Sequence, residues 1–190
     1  DEPCGAAPPR ARAVTDQFGM NSYRWSSTQS RLVGGDFNGD KASDMLLMPT
    51  SILYNAWLLL SDGHGDFAPA VNVVNAFGMS SYLSWTHDPL VADFDADGYD
   101  DVILRPETAA EDTLMLRGNP VMGFESVSIL AAGGTEANAR WPQATHTAHT
   151  GDFDADSRVD VLLVGRTPLT PTYLLTTCSP PYGFLDEQIL

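Results

Sequence analysis

GDFNGDKASDMLLM (35–48), ADFDADGYDDVILR (92–105) and GDFDADSRVDVLLV (151–164) follow one pattern. Each has a small residue, Asp-Phe, then Asp or Asn, a small residue and Asp. Three variable positions, a further Asp and an apolar run come next. The first Asp of the pattern stands at 36, 93 and 152, a period of 57 and then 59 residues. A fixed period of that size is the signature of a repeat architecture, and it governs how the rest of the chain is read.

The repetition extends outward from these stretches. FGMNSYRW (18–25) precedes the first and FGMSSYLSW (77–85) the second. Trp141 lies 11 residues ahead of Asp152, as Trp25 lies 11 ahead of Asp36. After the acidic stretches come AWLLLSDGHGDF (56–67), DTLMLRGNPVMGF (112–124) and TYLLTTCSPPYGF (172–184), each a short apolar run, a Gly- or Pro-rich turn and a Phe. AVNVVN (70–75), ESVSIL (125–130) and DEQIL (186–190) follow. Runs of this length, bounded by Gly, Asp, Asn and Pro, are strand signals, and no stretch carries a helical period with caps at both ends. Four short strands in under 60 residues is the size of a propeller blade. The expected fold is therefore all-β and propeller-like, with three four-stranded blades. Residues 1–10 are expected to form a flexible Pro-rich leader, and 11–190 one repeat domain. Its units are about 18–76, 77–132 and 133–190, preceded by an extra strand at 11–17.

The 190 residues carry 25 acidic and 10 basic side chains, for a net charge of -15. Such a chain repels phosphate backbones, so nucleic acid is a poor partner. The absence of any run of 18 apolar residues argues against helical membrane insertion. Eleven of the 25 acids take up candidate ligand positions in the three repeated loops. A loop that curls can aim the side-chain oxygens of its positions 1, 3, 5 and 9 inward, with a carbonyl from position 7. Calcium takes about six to eight oxygens in a forgiving geometry. The candidate ligands are Asp36, Asn38, Asp40, the Ala42 carbonyl and Asp44; Asp93, Asp95, Asp97, the Tyr99 carbonyl and Asp101; and Asp152, Asp154, Asp156, the Arg158 carbonyl and Asp160. Up to three calcium ions per chain are expected. Loop two, with Gly98 at position 6 and four Asp, should bind tightest. Loop one, with Lys41 there and one carboxylate fewer, should bind weakest. Lys41 and Arg158 are expected to point to solvent.

These three stretches resemble FG-GAP or VCBS-type repeats. Such repeats form the blades of integrin α-subunit propellers, of some secreted bacterial proteins and toxins, and of a mushroom propeller lectin. The resemblance implies a β-propeller with calcium in loops joining the strands of each blade. Propellers close with about four to eight blades, so three units leave three routes open: a homodimer completing a six-bladed ring, a segment of a longer protein, or closure of three units on themselves.

Calcium loops and two cysteines, Cys4 and Cys178, fit a secreted, extracellular protein. The two can join each other, bridge chains or stay free. The repeated aromatics Tyr23, Trp25, Tyr82, Trp85 and Trp141 can either stack on sugar rings or wedge between blades as core. The four histidines show no nucleophile or zinc spacing. The expected function is a binding module for a glycan or a cell-surface protein. The alternatives are a calcium-dependent lyase or hydrolase on the same scaffold and a structural segment of a larger adhesin or toxin.

Overall fold

A computed structural model describes residues 27–51, 55–78, 86–177 and 184–189. Within them the chain is almost wholly antiparallel β. The first sheet holds β1 (Ser30–Gly35), β2 (Asp44–Pro49), β3 (Trp57–Leu59) and β4 (Val71–Asn72) in sequence order, and one helical turn, α1 (Val73–Phe77), follows it. The second holds β5 (His87–Ala92), β6 (Asp101–Pro106), β7 (Thr113–Leu116) and the outer strand β10 (Ser128–Ala131). Between β7 and β10 a small ribbon forms from β8 (Gly118–Asn119) and β9 (Gly123–Phe124). The third holds β11 (His146–Gly151), β12 (Asp160–Gly165), β13 (Tyr173–Thr177) and β14 (Phe184–Ile189). The leader, the extra strand at 11–17, both cysteines and Tyr23, Trp25, Tyr82 and Trp85 lie outside the described residues.

Alternation along each second strand decides how the sheets stack. Leu46 and Met48 of β2 share a buried cluster with Val102 and Leu104 of β6. Ile103, on the opposite face of β6, joins Val161 and Leu163 of β12 in another. The second sheet thus presents one face to the first sheet and the other to the third. The loop phenylalanines lock the stack. Phe37 of the first hairpin is fully buried in the first of these clusters and packs on Phe124, ring centroids 4.6 Å apart. Phe94 of the second hairpin enters the other cluster. Complete burial of such a side chain contributes about 1.5–3 kcal/mol.

AVNVVN differs from its expected strand. Only Val71 and Asn72 pair with β3, and the chain then turns into α1. That turn buries Val73 and brings Phe77 edge-on to Phe124, centroids 5.7 Å apart. Core burial of Phe77 outweighs the strand propensity of the valines.

Polar groups stitch the innermost strands. Asp88 on β5 accepts from Arg31 Nη1 of β1 at 3.1 Å, and Arg31 Nη2 donates to the His87 carbonyl. Arg105, opposite Asp88 in the β5–β6 register, is buried and reaches the third unit: Nε donates to the Trp141 carbonyl at 3.1 Å and Nη2 to that of His146 at 2.9 Å. Its Nη1 lies 3.9 Å from Asp88.

Candidate functional site

The three acidic stretches are the hairpin loops β1–β2, β5–β6 and β11–β12. Identical register sets them up: Gly35 faces Asp44, Ala92 faces Asp101 and Gly151 faces Asp160. The ninth residue of each loop is thus the first of the following strand, and all three of these carboxylates are fully buried. Their Oδ2 atoms accept from the main-chain N–H of Phe37, Phe94 and Phe153 at 3.1, 3.1 and 2.9 Å. Their Oδ1 atoms accept from Ser61, Gly118 and Thr177 at 2.7, 2.9 and 3.0 Å. Each ninth Asp ties its loop to the residues just after or at the end of the third strand of its sheet.

The other candidate ligand side chains fold the loop by binding its own amides. Asp36, Asp93 and Asp152 accept through Oδ2 from Lys41, Gly98 and Ser157 at 2.8, 3.0 and 3.0 Å. Asn38, Asp95 and Asp154 accept from the N–H two residues on, and so do Asp40, Asp97 and Asp156. These bonds curl the backbone through two left-handed residues per loop. Position 6 is left-handed in Lys41 (φ 70°), Gly98 (φ 93°) and Ser157 (φ 70°), as its chemistry predicts. Position 4 is left-handed too, in Gly39 (φ 76°), Ala96 (φ 59°) and Ala155 (φ 65°). The sequence hid the latter because two of the three are alanines.

The curl gathers oxygen. One carboxylate atom each from Asp93, Asp95 and Asp101 lies within 4.8 Å of the others, and the same holds for Asp152, Asp154 and Asp160. Loop one has Asn38 in the third place, and its amide Nδ2 donates to Asp40 at 3.1 Å. Burial, opposed by the Gly118 amide and reinforced by Asp95 and Asp97, pushes the Asp101 carboxyl up to about 7. Burial likewise takes Asp44 to about 6. Burial followed by the Asp93 charge raises Asp95. A set of hard oxygens held close together, in a place where negative charge is disfavoured, has the donor chemistry of a calcium site and none of that of a thiolate or imidazole metal site.

The loops are not equally surrounded. Asp152, Asp154 and Asp156 are exposed, whereas Asp95 is buried. Lys41 is exposed as expected. Arg158 is not a solvent-pointing side chain: three-quarters covered, it lies back over its own loop with Nε 3.8 Å from Asp156, because the carboxylates there offer it a partner. Arg117 takes a similar place beside Asp95 at 3.7 Å.

Trp141 is 3 % exposed within the cluster between the second and third sheets, so this ring takes the packing role of the two that its sequence left open. Two histidines carry a pattern that sequence reasoning passed over. His87 Nδ1 meets Thr86 Oγ1 at 2.8 Å and Nε2 meets the Asp112 carbonyl at 2.9 Å. His146 repeats this with Thr145 at 2.9 Å and the Pro171 carbonyl at 3.0 Å. The Thr-His pairs at 86–87 and 145–146 share the spacing of the second and third loops, which is the signal that could have found them.

Residues 22–104 match the FG-GAP-like repeat family, so this stretch is an FG-GAP-type repeat. No curated protein sequence matches the chain. Among solved structures the fold is similar to that of an Agrocybe aegerita lectin described as specifically recognising non-reducing terminal N-acetylglucosamine. The TM-score is 0.60 at 19% identity over 87% of this chain. This chain spans 39% of the length of that protein. At this identity the likeness carries the fold.

Proposed function

We propose that the chain is a secreted, calcium-stabilised carbohydrate-binding module built of propeller blades. The observation that carries the calcium half is the threefold recurrence, in one register, of a buried ninth Asp beneath a curled ring of oxygen ligands. Asp93, Asp95, Asp97 and Asp101 would hold one ion, Asp152, Asp154, Asp156 and Asp160 a second, and Asp36, Asn38, Asp40 and Asp44 a third. The ion supplies positive charge that offsets carboxylate repulsion and fixes the hairpin ends. The carbohydrate half rests on the lectin-like fold over most of the chain together with its FG-GAP-type repeat. Tyr23, Trp25, Tyr82 and Trp85 are the candidate stacking platforms for sugar rings.

The test is direct. Native mass spectrometry in calcium should show up to three ions per chain, removed by a chelator. Asp97→Ala and Asp156→Ala should each lose one ion and lower thermal stability in calcium. A glycan array probed in calcium should give signal, and a glycan ending in N-acetylglucosamine is the first ligand to titrate. Unchanged ion count in both variants overturns the calcium half; an empty array overturns the carbohydrate half.

A second copy of the chain is the proposed protein partner, on a separate observation. Phe37 and Phe94 are 0 % and 4 % exposed, each received by the next sheet, while the equivalent Phe153 is 46 % exposed. Leu162 and Val164, on the strand that follows its loop, are half-buried. Among the described residues no further sheet receives Phe153. A second chain bringing a blade to that flank would complete the pattern and lead to a six-bladed ring. Native mass spectrometry should show a dimer that Phe153→Asp splits; a monomer at tens of micromolar refutes this partner.

A further inference from the structure

Loops one and two are tied together by an aspartate of loop two that loop three lacks. Asp100 of loop two clamps Asp36, the first residue of loop one, from both sides. The Asp100 N–H donates to the Asp36 carbonyl at 2.8 Å, and Asp100 Oδ2 accepts from the Asp36 N–H at 2.8 Å. Next to this clamp the Tyr99 ring lies against Gly39, filling the space that a Cβ there would need. Asn119 adds a third tie, its N–H donating to the Phe37 carbonyl at 2.9 Å. The opening residues of loop one are therefore built onto the closing residues of loop two.

The carboxylate half of this clamp has no counterpart between loops two and three. The residue of loop three equivalent to Asp100 is Val159, which has no carboxylate to accept from Asp93. The residue equivalent to Tyr99 is Arg158, whose guanidinium turns to Asp156 instead.

We propose that loops one and two take up their cations as a coupled pair, with Asp100 as the coupling residue, and that loop three fills independently. The proposal rests on the calcium reading of the loops. Asp100 sits between Tyr99 and Asp101, the seventh and ninth positions of loop two. An ion that holds those two positions holds Asp100, and Asp100 holds Asp36. Part of the ordering that loop one needs is then already in place before its own ion arrives, which raises its affinity. Linkage makes the effect reciprocal, so an ion in loop one must raise the affinity of loop two by the same factor. Asp100 is a positioning residue here and touches no ion itself.

Isothermal titration of the full chain with calcium tests this in five variants. Asp156→Ala leaves loops one and two and should titrate cooperatively. Asp97→Ala/Asp156→Ala leaves loop one alone, and its affinity should fall about tenfold relative to the paired state, in the ordinary range of allosteric coupling. Asp100→Ala/Asp156→Ala should turn the cooperative curve into two independent sites. Asp100→Asn/Asp156→Ala should restore cooperativity, since the amide oxygen can still accept from the Asp36 N–H. Loop three, read in Asp97→Ala, should keep its wild-type affinity and serves as the control for folding. Independent filling of loops one and two in Asp156→Ala overturns the coupling while leaving calcium binding intact. A loop three affinity that falls together with that of loop one also overturns it. No calcium uptake by the wild-type chain overturns the calcium reading itself and the coupling with it.

Discussion

The guanidinium of Arg105, on the second strand of the second sheet, ends on the main-chain carbonyl of His146, the first residue of the third sheet, at 2.9 Å. A single side chain buried in one repeat thus fixes where the next repeat begins. It holds the Trp141 carbonyl with the same group, so the segment entering the third sheet is gripped at two points five residues apart. Arginine suits this role because its planar fork presents donors in several directions at once.

Arg105→Ala should leave both carbonyls short of a partner. Each unsatisfied buried acceptor costs about 1–3 kcal/mol, so the melting temperature should fall by about 10 °C, given roughly 2–4 °C per kcal/mol for a chain of this size. Arg105→Lys should recover little, because an ammonium cannot reproduce the fork. Thermal denaturation followed by circular dichroism reads both.

Protonation of His146 should destabilise the fold. Burial, with help from the Arg105 charge and against the Pro171 carbonyl bond, holds its pKa below the ordinary 6.5. The unfolded ring therefore binds a proton more readily than the folded one. Stability from this group is complete above about pH 6.5 and is lost progressively as pH falls below it. His146→Gln, whose amide can still donate to Pro171, should remove that part of the pH dependence. Denaturant midpoints of wild type and variant between pH 5 and 8, in saturating calcium, should converge at the acid end and diverge at the basic end.

Asp101→Asn removes the charge at the base of loop two and keeps one of its two main-chain hydrogen bonds. In chelator the variant should be somewhat less stable than wild type: it removes a charge that burial and Asp95 disfavour, but its NH2 faces one of the two main-chain N–H groups, of Phe94 or Gly118, that the carboxylate accepts from. In calcium it should gain far less than wild type does. Equal calcium stabilisation of the two proteins, measured by differential scanning fluorimetry, would remove Asp101 from the ligand set.

Phe94 and Phe153 occupy one repeat position in two environments. Phe94→Ala should cost about 3–5 kcal/mol, as buried Phe truncations do. Phe153→Ala should cost well under half of that in a monomeric sample, and chemical denaturation of the two variants side by side checks the contrast.

Much of the architecture was legible because the repeat is spelled in residues with few substitutes. Asp at loop positions 1, 5 and 9 recurs at all three loops, and the hairpin register follows from it. The second and third strands of each sheet fall on the apolar runs that follow the loops. What stayed hidden was chemistry decided by neighbours distant in sequence. Arg105 reads as the charged end of an apolar strand until the third sheet surrounds it. Val73 and Phe77 read as part of a strand and its sequel until Phe124 offers them a better place. The left-handed turns at Ala96 and Ala155 are set by the amides that the Asp side chains capture, and no local propensity announces them.

The contact between Gly39 and Tyr99 bears on how such an array can be rebuilt. The units are not interchangeable bricks. An engineered protein made of identical copies of the second unit would set an alanine, as at Ala96, against the tyrosine of the following copy, and that ring would have to swing away from its seat. Copies of the first unit would put Ser43 where Asp100 stands, and the clamp on the neighbouring loop would be lost. A consensus sequence averaged over the three units erases both halves of this junction, so an extended synthetic array should be designed from junctions rather than from units.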